Sequence, residues 1–338
     1  MKRREFLKAG SAAVVATTVG AAGVLKAEPA KADANKAEPA KTNADKAGHV
    51  KSEAGLARWS SETGDASERD LRARFLGTGA ADWKGPDERG EYRRLSGLLL
   101  DGRILIDFTK TDSDMLPEGF SADAVFYTHS HPDHYNAADE LKYIGAPLVY
   151  VGQTWVERAK ENFAKAAAEA GCAQPEIIPL GTGESIAMGD ITITALPANH
   201  STSDNNEQTL IYLIEKQDVR LLYATDTGGI VSRAARLAGV DAHIKGKPIT
   251  ALVMEATMGI DYDEDYRIFT HSSVGLVKRT ADVLLSTGRL TPPEGQPVYL
   301  THLARTLHGT QAELDSALPA PLRAAYDGLE VIFRPCND

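Results

Sequence analysis

The chain has 338 residues, enough for one large or two ordinary domains, and its 43% hydrophobic and 25% charged shares suit a packed globular core. A formal charge of −10 supplies no whole-chain basic field, so a protein that works by gripping nucleic acid or an anionic membrane is not expected. Cys172 and Cys336 have no Cys or His neighbour at zinc-finger spacing and read as structural, with their pairing open.

Lys2-Arg3-Arg4-Glu5-Phe6-Leu7-Lys8 precedes a weakly apolar Ala/Val/Thr/Gly run from Ala9 to about Leu25. Basic, apolar and small-residue segments in that order mark an export signal over residues 1–27. Its Arg3-Arg4-x-Phe6-Leu7-Lys8 core resembles the twin-arginine type, which implies the twin-arginine export machinery as a partner and a periplasmic or otherwise exported location. A retained anchor is the rival, weakened because the run is short and poor in Leu, Ile and Phe; no stable membrane association is expected. From Ala27 to Lys46 the chain nearly repeats a ten-residue Ala/Lys/Glu/Pro unit, and residues 28–70 read as a solvated linker with too little apolar surface to offset ordering entropy. The folded domain is expected over 71–338.

Leu71 to Leu76 reads as the first strand, followed by Gly77-Thr78-Gly79, a turn or a ligand cradle. Ser96–Leu100 and Arg103–Phe108 form a hairpin across Asp101-Gly102. Asp107 near its end is either a turn cap or support for a ligating His. Val125-Phe-Tyr-Thr128 is a buried strand, Asn136–Ile144 a helix, Leu148–Val151 a strand and Thr154–Ala170 an amphipathic helix. Ile186–Leu196 is a hairpin around Gly189-Asp190; Gln208–Glu215 pairs with Val219–Ala224. Thr250–Met254 is a strand, His271 to about Leu285 a helix, and Val298–Leu300 and Leu329–Phe333 the last strands.

Chemistry concentrates at strand ends. Directly after Thr128 come His129, His131, Asp133 and His134, four ligand-type side chains in six positions. His129 and His131 project to one side of an extended segment, and Pro132 turns the chain so that Asp133 and His134 enter the same space. His200, Asp226 and His302 also follow strand ends. Strand ends converge on one edge of a sheet, where rigid sites are built. Imidazole nitrogen with carboxylate oxygen suits borderline divalent metals. These seven residues suffice for two ions: His129, His131 and His200 on the first, Asp133, His134 and His302 on the second, Asp226 between them. Thiolate-free ligation favours zinc, with manganese or iron also compatible. His49 and His243 are not expected to take part, and His308 is unassigned.

The order His-x-His-x-Asp-His, then His200, Asp226 and His302, resembles the metallo-β-lactamase superfamily of dinuclear hydrolases over about Arg72 to Phe333. The resemblance implies a four-layer αββα sandwich of α/β class with the metals at one edge. Phe75-Leu-Gly-Thr-Gly79, Tyr92-Arg93-Arg94-Leu-Ser96-Gly97, Leu196-Pro-x-Asn-His200-Ser201 and Asp226-Thr-x-Gly229 look like phosphoribosyl cyclic phosphate phosphodiesterase, as do Leu300-Thr-His302 and Tyr326-Asp-Gly-Leu-Glu330. Glu255-Ala-Thr257 with His271-Ser-Ser273 is similar to the tRNA 3′-processing endonuclease of the same superfamily. Both likenesses imply that His271 faces the substrate phosphate. Arg305 stands where the cyclic phosphodiesterase carries a His, and the cysteines of that family and the basic RNA-binding arm of the endonuclease are missing.

The resulting expectation is an exported dinuclear hydrolase of a small or cyclic phosphodiester, acting through a metal-bridging hydroxide. Asp133 is placed to hold the nucleophile's proton, and His271 and Arg305 to bind the substrate's non-bridging oxygens. Alternatives are a lactone, thioester or β-lactam hydrolase on the same metals, or a binding protein that kept the fold without turnover.

Overall fold

The computed structural model describes residues 67–335 apart from 242, 244 and 245; the expected export signal, residues 28–66 of the expected linker, and Cys336 lie outside them. Ser67–Asp70, which composition assigns to the linker, form a turn in which the buried Asp70 carboxylate accepts the Ser67 N–H at 2.8 Å.

Two seven-stranded sheets form the centre of the described residues. The first runs in spatial order β14 (Glu330–Phe333), β1 (Leu71–Gly77), β2 (Gly97–Leu100), β3 (Ile104–Ile106), β4 (Ala124–Phe126), β5 (Leu148–Gly152) and β6 (Glu176–Leu180). The second runs β13 (Leu322–Ala324), β12 (Val298–Thr301), β11 (Ala251–Glu255), β10 (Val219–Ala224), β9 (Leu210–Lys216), β8 (Ile191–Pro197) and β7 (Ser185–Met188). Helices α1 (Ala137–Tyr143) and α2 (Val156–Ala170) cover the first sheet; α3 (Ser232–Leu237), α4 (Val274–Ser286) and α5 (Gln311–Ala317) cover the second.

Three apolar clusters account for the layering. Phe75, Leu98 and Phe126 of one sheet meet Ile193, Tyr212 and Val253 of the other between the sheets. Leu222 and Met254 face Val277 and Ala281 of α4, while Val125 and Val149 face Ala159 and Phe163 of α2. Strands buried on both faces read as continuous apolar runs, and β10 is buried at every position. The architecture is the expected αββα sandwich.

Local chemistry explains the elements. Val156, Ala159, Phe163, Ala166 and Ala167 make one buried stripe along α2, and Gly171 ends it at φ 66°. The Asn136 side chain accepts the Ala138 and Asp139 N–H groups and so starts α1. Asp101 and Gly102 both take positive φ at the centre of a turn closed by the Arg103 N–H donating to the Leu100 carbonyl at 3.0 Å, within the three-residue connection between Leu100 and Ile104. A side chain at Gly77 would strike the Leu95 carbonyl, which makes that loop a close-approach turn.

Several expectations need correcting. The helix placed from His271 begins at Val274; Ser273 caps it, accepting the Leu276 N–H at 3.0 Å. His271 instead closes the preceding loop, its N–H donating to the Arg267 carbonyl at 2.7 Å. The helix placed from Thr154 opens with a 3-10 turn over Gln153–Trp155. β6, β13, α3 and α5 were not expected. β6 is an edge strand that tolerates Pro179, and β13 and α3 are too short for periodicity to show. The Thr310–Glu313 capping box of α5 was readable. No helix of the described residues is long and apolar enough to cross a membrane.

Strand direction positions the site. β9 is antiparallel to both β8 and β10, while β10, β11 and β12 are mutually parallel, so β8, β10, β11 and β12 all end at one edge. In the other sheet β3, β4 and β5 are parallel. The sheets are tied beside that edge: the Leu210 N–H donates to the Thr128 carbonyl at 2.9 Å, and the Tyr212 hydroxyl to the Tyr127 carbonyl at 2.7 Å.

Away from the site, Glu140 of α1 is fully buried, with one oxygen accepting the Ala146 N–H at 2.8 Å and the other unpartnered. Burial pushes its carboxyl from the usual 4.5 up to about 7. A raised acid pKa leaves stability untouched below pH 4.5 and costs progressively more until about pH 7, where the loss is complete at about 3 kcal/mol. Glu140→Gln should therefore gain stability relative to the parent by up to that amount between those two pH values. Paired denaturant titrations check this, and a pH-independent difference would contradict it.

Candidate metal centre

The structure brings all seven expected ligands to the shared edge. His129, His131 and His200 form one group whose ligand atoms lie within 4.8 Å of one another, and Asp133, His134 and His302 form a second. Asp226 joins them. Its Oδ2 lies 2.5 Å from His134 Nε2, 3.3 Å from His302 Nε2 and 3.7 Å from His129 Nε2. Asp107, Asp226 and His302, at the ends of β3, β10 and β12, all have left-handed backbone, with φ of 56°, 46° and 54°. Such a conformation is uncommon outside glycine and persists where the surroundings over-determine it. Here it turns each side chain off the strand end.

The outward nitrogen of each of four rings is held by an oxygen. His134 Nδ1 donates to Asp107 Oδ2 at 2.8 Å. His129 Nδ1 donates to Thr128 Oγ1 at 3.0 Å, whose own proton goes to Asp107 Oδ2 at 2.8 Å. His302 Nδ1 donates to Thr257 Oγ1 at 2.8 Å, and that hydroxyl donates to Glu255 Oε2. His200 Nδ1 donates to the Thr270 carbonyl at 3.1 Å. With these tautomers set by the network, the Nε2 lone pairs all face inward.

Inside, acceptor meets acceptor. His134 Nε2 and His302 Nε2 are 3.2 Å apart, with Asp133 Oδ2 at 3.4 Å from each. His131 Nδ1 lies 2.9 Å from His129 Nε2 and 3.2 Å from His200 Nε2, and it holds at most one proton between them. Asp226 Oδ2 is buried without a hydrogen-bond donor. Lone pairs packed this closely repel unless positive charge lies among them, and this donor set fits divalent cations.

The titration directions divide the rings: three favour the neutral form, and His134 carries the charge that the carboxylates demand. Burial, reinforced by the neighbouring His134, pushes His129 well below the usual histidine range; His131 and His200 are also lowered, chiefly by burial. Burial opposes a charge on His134, yet Asp226, Asp133 and Asp107 together hold it well above that range. Burial likewise opposes the Asp226 carboxylate, and the imidazoles, His302 foremost, hold it well below the carboxylate range.

His271 sits beside this cluster. Its Nδ1 is 3.1 Å from Glu255 Oε1, 3.2 Å from Thr257 Oγ1 and 3.4 Å from Asp226 Oδ1. Burial works against the charge, but Glu255 and Asp226 raise its pKa to about 9. Arg305 is placed otherwise: its guanidinium meets the Pro86 carbonyl at 3.3 Å and Glu88 at 3.5 Å, lining a hollow with Arg89, Thr306 and His308. His308 donates from Nε2 to the Ala256 carbonyl at 2.6 Å, and exposed His243 donates its backbone N–H to the Asp241 carboxylate at 2.7 Å, away from the metal groups. Asp107 supports a ligating ring, one of its two sequence readings.

Two carboxylates were not assigned a role from sequence. Glu255, fully buried at the end of β11, accepts from the Thr227 N–H at 2.6 Å and from Thr257, and so orients His271 and His302 together. It follows the apolar strand Leu252-Val-Met as the other site residues follow theirs, and that was the available signal. Glu207 accepts the Ser130 N–H at 2.8 Å and the Ser130 hydroxyl at 2.6 Å, with Arg158 on the same carboxylate. It thereby clasps the His129–His131 segment to the loop after His200; no local pattern announces it.

A family described as the beta-lactamase superfamily domain matches residues 106–278. The chain belongs to the beta-lactamase superfamily. No curated protein matches it by sequence. Among solved structures, this superfamily member is similar to a diphosphatase of the PhnP family, at 19% identity and TM-score 0.55, covering 79% of this chain and 99% of that one. It is similar to YhfI from Bacillus subtilis, a metallo-beta-lactamase fold protein, at 16% identity and TM-score 0.56 over 78% and 99%. The human short-form tRNase Z matches at 16% identity and TM-score 0.53 over 77% and 98%. These likenesses show the metallo-β-lactamase fold, and the family match with the His/Asp groups supports a metal-dependent hydrolase.

Asp107 touches no substrate space, yet it fixes His134 directly and His129 through Thr128. Asp107→Asn should weaken metal binding by roughly 10–100-fold, the usual cost of losing an orienting partner. Titration against a chromophoric chelator measures it, and wild-type affinity in the variant would contradict the assignment.

Proposed function

We propose that this superfamily member is an exported dinuclear metallohydrolase that cleaves a small phosphodiester. The observation that carries the substrate class is His271, a fixed imidazole beside Asp226 outside the two metal groups assigned above, though its ring also lies within ligand distance of His200 and Asp226 and of Glu255 and His302. Glu255 engages its Nδ1, and among the described residues Nε2 has no protein partner, so the imidazolium form, which Glu255 and Asp226 favour against burial, has an N–H to donate to a phosphoryl oxygen. An uncharged lactone or β-lactam has no need of such a donor. The names of the PhnP-family diphosphatase and the tRNase Z point toward phosphate chemistry as well.

Two divalent ions, zinc first and manganese or iron as alternatives, would supply Lewis acidity and a water of lowered pKa. The protein's own residues do the rest. His129, His131 and His200 would hold one ion, Asp133, His134 and His302 the other, and Asp226 both. Asp133 would also accept a hydrogen bond from the attacking water: burial opposes its ionisation, but His134 and His302 keep it well below the usual carboxylate range, which makes it an ionised acceptor and a weak base. His271 stabilises charge building on the phosphoryl oxygens. Arg305, expected from sequence on the same oxygens, instead meets the Pro86 carbonyl and Glu88 and is given no part in this reaction.

A chromogenic phosphodiester assayed beside a lactone and a cephalosporin tests the class; preference for either of the latter would overturn it. His271→Ala should keep its metals and fold while losing roughly 10²–10³ in turnover, the cost of one preorganised donor. Elemental analysis, thermal melting and steady-state kinetics on this variant decide the point, and wild-type turnover would remove His271 from the reaction.

Export rests on the Arg3-Arg4 segment and its weakly apolar run. Replacing both arginines by Lys should retain the protein in the cytoplasm. Cell fractionation reads the result, and undiminished export would exclude the twin-arginine route.

A further inference from the structure

Of the eight exposed large hydrophobic side chains among the described residues, four fall in one stretch: Ile260, Tyr262, Tyr266 and Phe269. Tyr266 is 79% and Phe269 71% exposed, and exposed apolar side chains grouped in this way are a feature of binding surfaces. The stretch is the loop between β11 and α4, and it ends beside the metal groups. Thr270, next to Phe269, offers its carbonyl to His200 Nδ1 at 3.1 Å, and His271 follows.

The loop is built into place. A Cβ at Gly228, two residues after Asp226, would lie 2.5 Å from the Ile268 carbonyl oxygen, and one at Gly275 of α4 would collide with the Asp263 carboxylate. Asp265 caps a 3-10 turn over Tyr266–Phe269 and pairs with Arg267 at 2.8 Å. The exposed rings are thus carried on a fixed scaffold.

Its charge is one-sided. Asp261, Asp263, Glu264 and Asp265 face a single basic residue, Arg267, which Asp265 already engages. Asp263 receives the Ser273 hydroxyl and Arg279. Asp261 and Glu264 are exposed with no partner among the described residues. Unpaired carboxylates beside a phosphodiester site repel any second anionic group, so a polyphosphate or a nucleic acid strand is a poor fit. A neutral ring would stack on Tyr266 or Phe269 but gain nothing from the carboxylates. An organic cation uses both, through cation–π attraction and charge.

We propose that the loop Gly259–Thr270 receives an alkylammonium group on the substrate, so that the molecule cleaved is a zwitterionic phosphodiester of the phosphocholine or phosphoethanolamine kind. The anionic phosphorus centre goes to the metal groups and His271, and the cation lies over the rings of Tyr266 and Phe269. This rests on the phosphodiesterase reading.

Metal-loaded protein provides the test. Calorimetry compares phosphocholine, methyl phosphate and adenosine monophosphate; turnover compares p-nitrophenyl phosphorylcholine with ethyl p-nitrophenyl phosphate, which share a leaving group. Phosphocholine should bind about tenfold tighter than methyl phosphate, within the range for a cation on an aromatic face, and the two esters should differ similarly in kcat/KM. Tyr266→Ala with Phe269→Ala should bring both ratios to about one, and Asp261→Asn with Glu264→Gln should reduce them; melting curves confirm that both variants fold. Equal binding of phosphocholine and methyl phosphate overturns the proposal, as does a ratio that survives the aromatic double variant. Tighter binding of adenosine monophosphate overturns it in favour of a stacked base. If phosphocholine binding is selective but neither ester is hydrolysed, the cation site stands and the phosphodiesterase reading falls.

Discussion

The candidate site depends on lone pairs that face one another across a buried gap. Four imidazoles have their outward nitrogen tied to an oxygen of Asp107, Thr128, Thr257 or Thr270, so in the neutral ring each presents its inward nitrogen as a lone pair. Asp133 and Asp226 add carboxylate oxygens to the same space. Without a cation such a cluster would be relieved only by protonating His134, which is the direction its surroundings push it. Much of the surrounding structure follows from holding that arrangement. The strands end at one edge, left-handed turns at Asp107, Asp226 and His302 swing side chains off the strand ends, and bonds from Leu210 and Tyr212 lock the sheets together beside it.

The orienting groups divide into two connected sets. Asp107 and Thr128 serve His134 and His129 from the first sheet, whereas Glu255 and Thr257 serve His302 and His271 from the second. Asp226 stands between them and touches rings from both. A change in one set is therefore felt by both candidate metal groups through that carboxylate, and substitutions in the two sets should not be additive. The Glu207 clasp adds a third tie, between the His129–His131 segment and the loop after His200.

The ligands were legible because each follows an apolar run, and apolar runs are what a sequence displays most plainly. The same rule would have reached Glu255, whose strand Leu252-Val-Met ends as theirs do. Asp107 was left between capping and support, since its partner His134 lies 27 residues away and only folding brings them together. Glu207 lies 77 residues from Ser130 and had no local signal. The start of α4 was misplaced because His271-Ser-Ser reads as a helix opening, whereas Ser273 is the cap and His271 belongs to the loop before it. Short edge elements such as β13 escaped because three residues carry no measurable period.

The central claim is that one carboxylate, Asp226, is shared by two metal ions. Elemental analysis of purified wild type and Asp226→Ala tests it most directly, with metal affinity measured for each ion. The account predicts up to two divalent ions per wild-type chain and lowered occupancy of both sites in the variant. A variant that keeps both ions at wild-type affinity, or loses one and leaves the other unaffected, would contradict it.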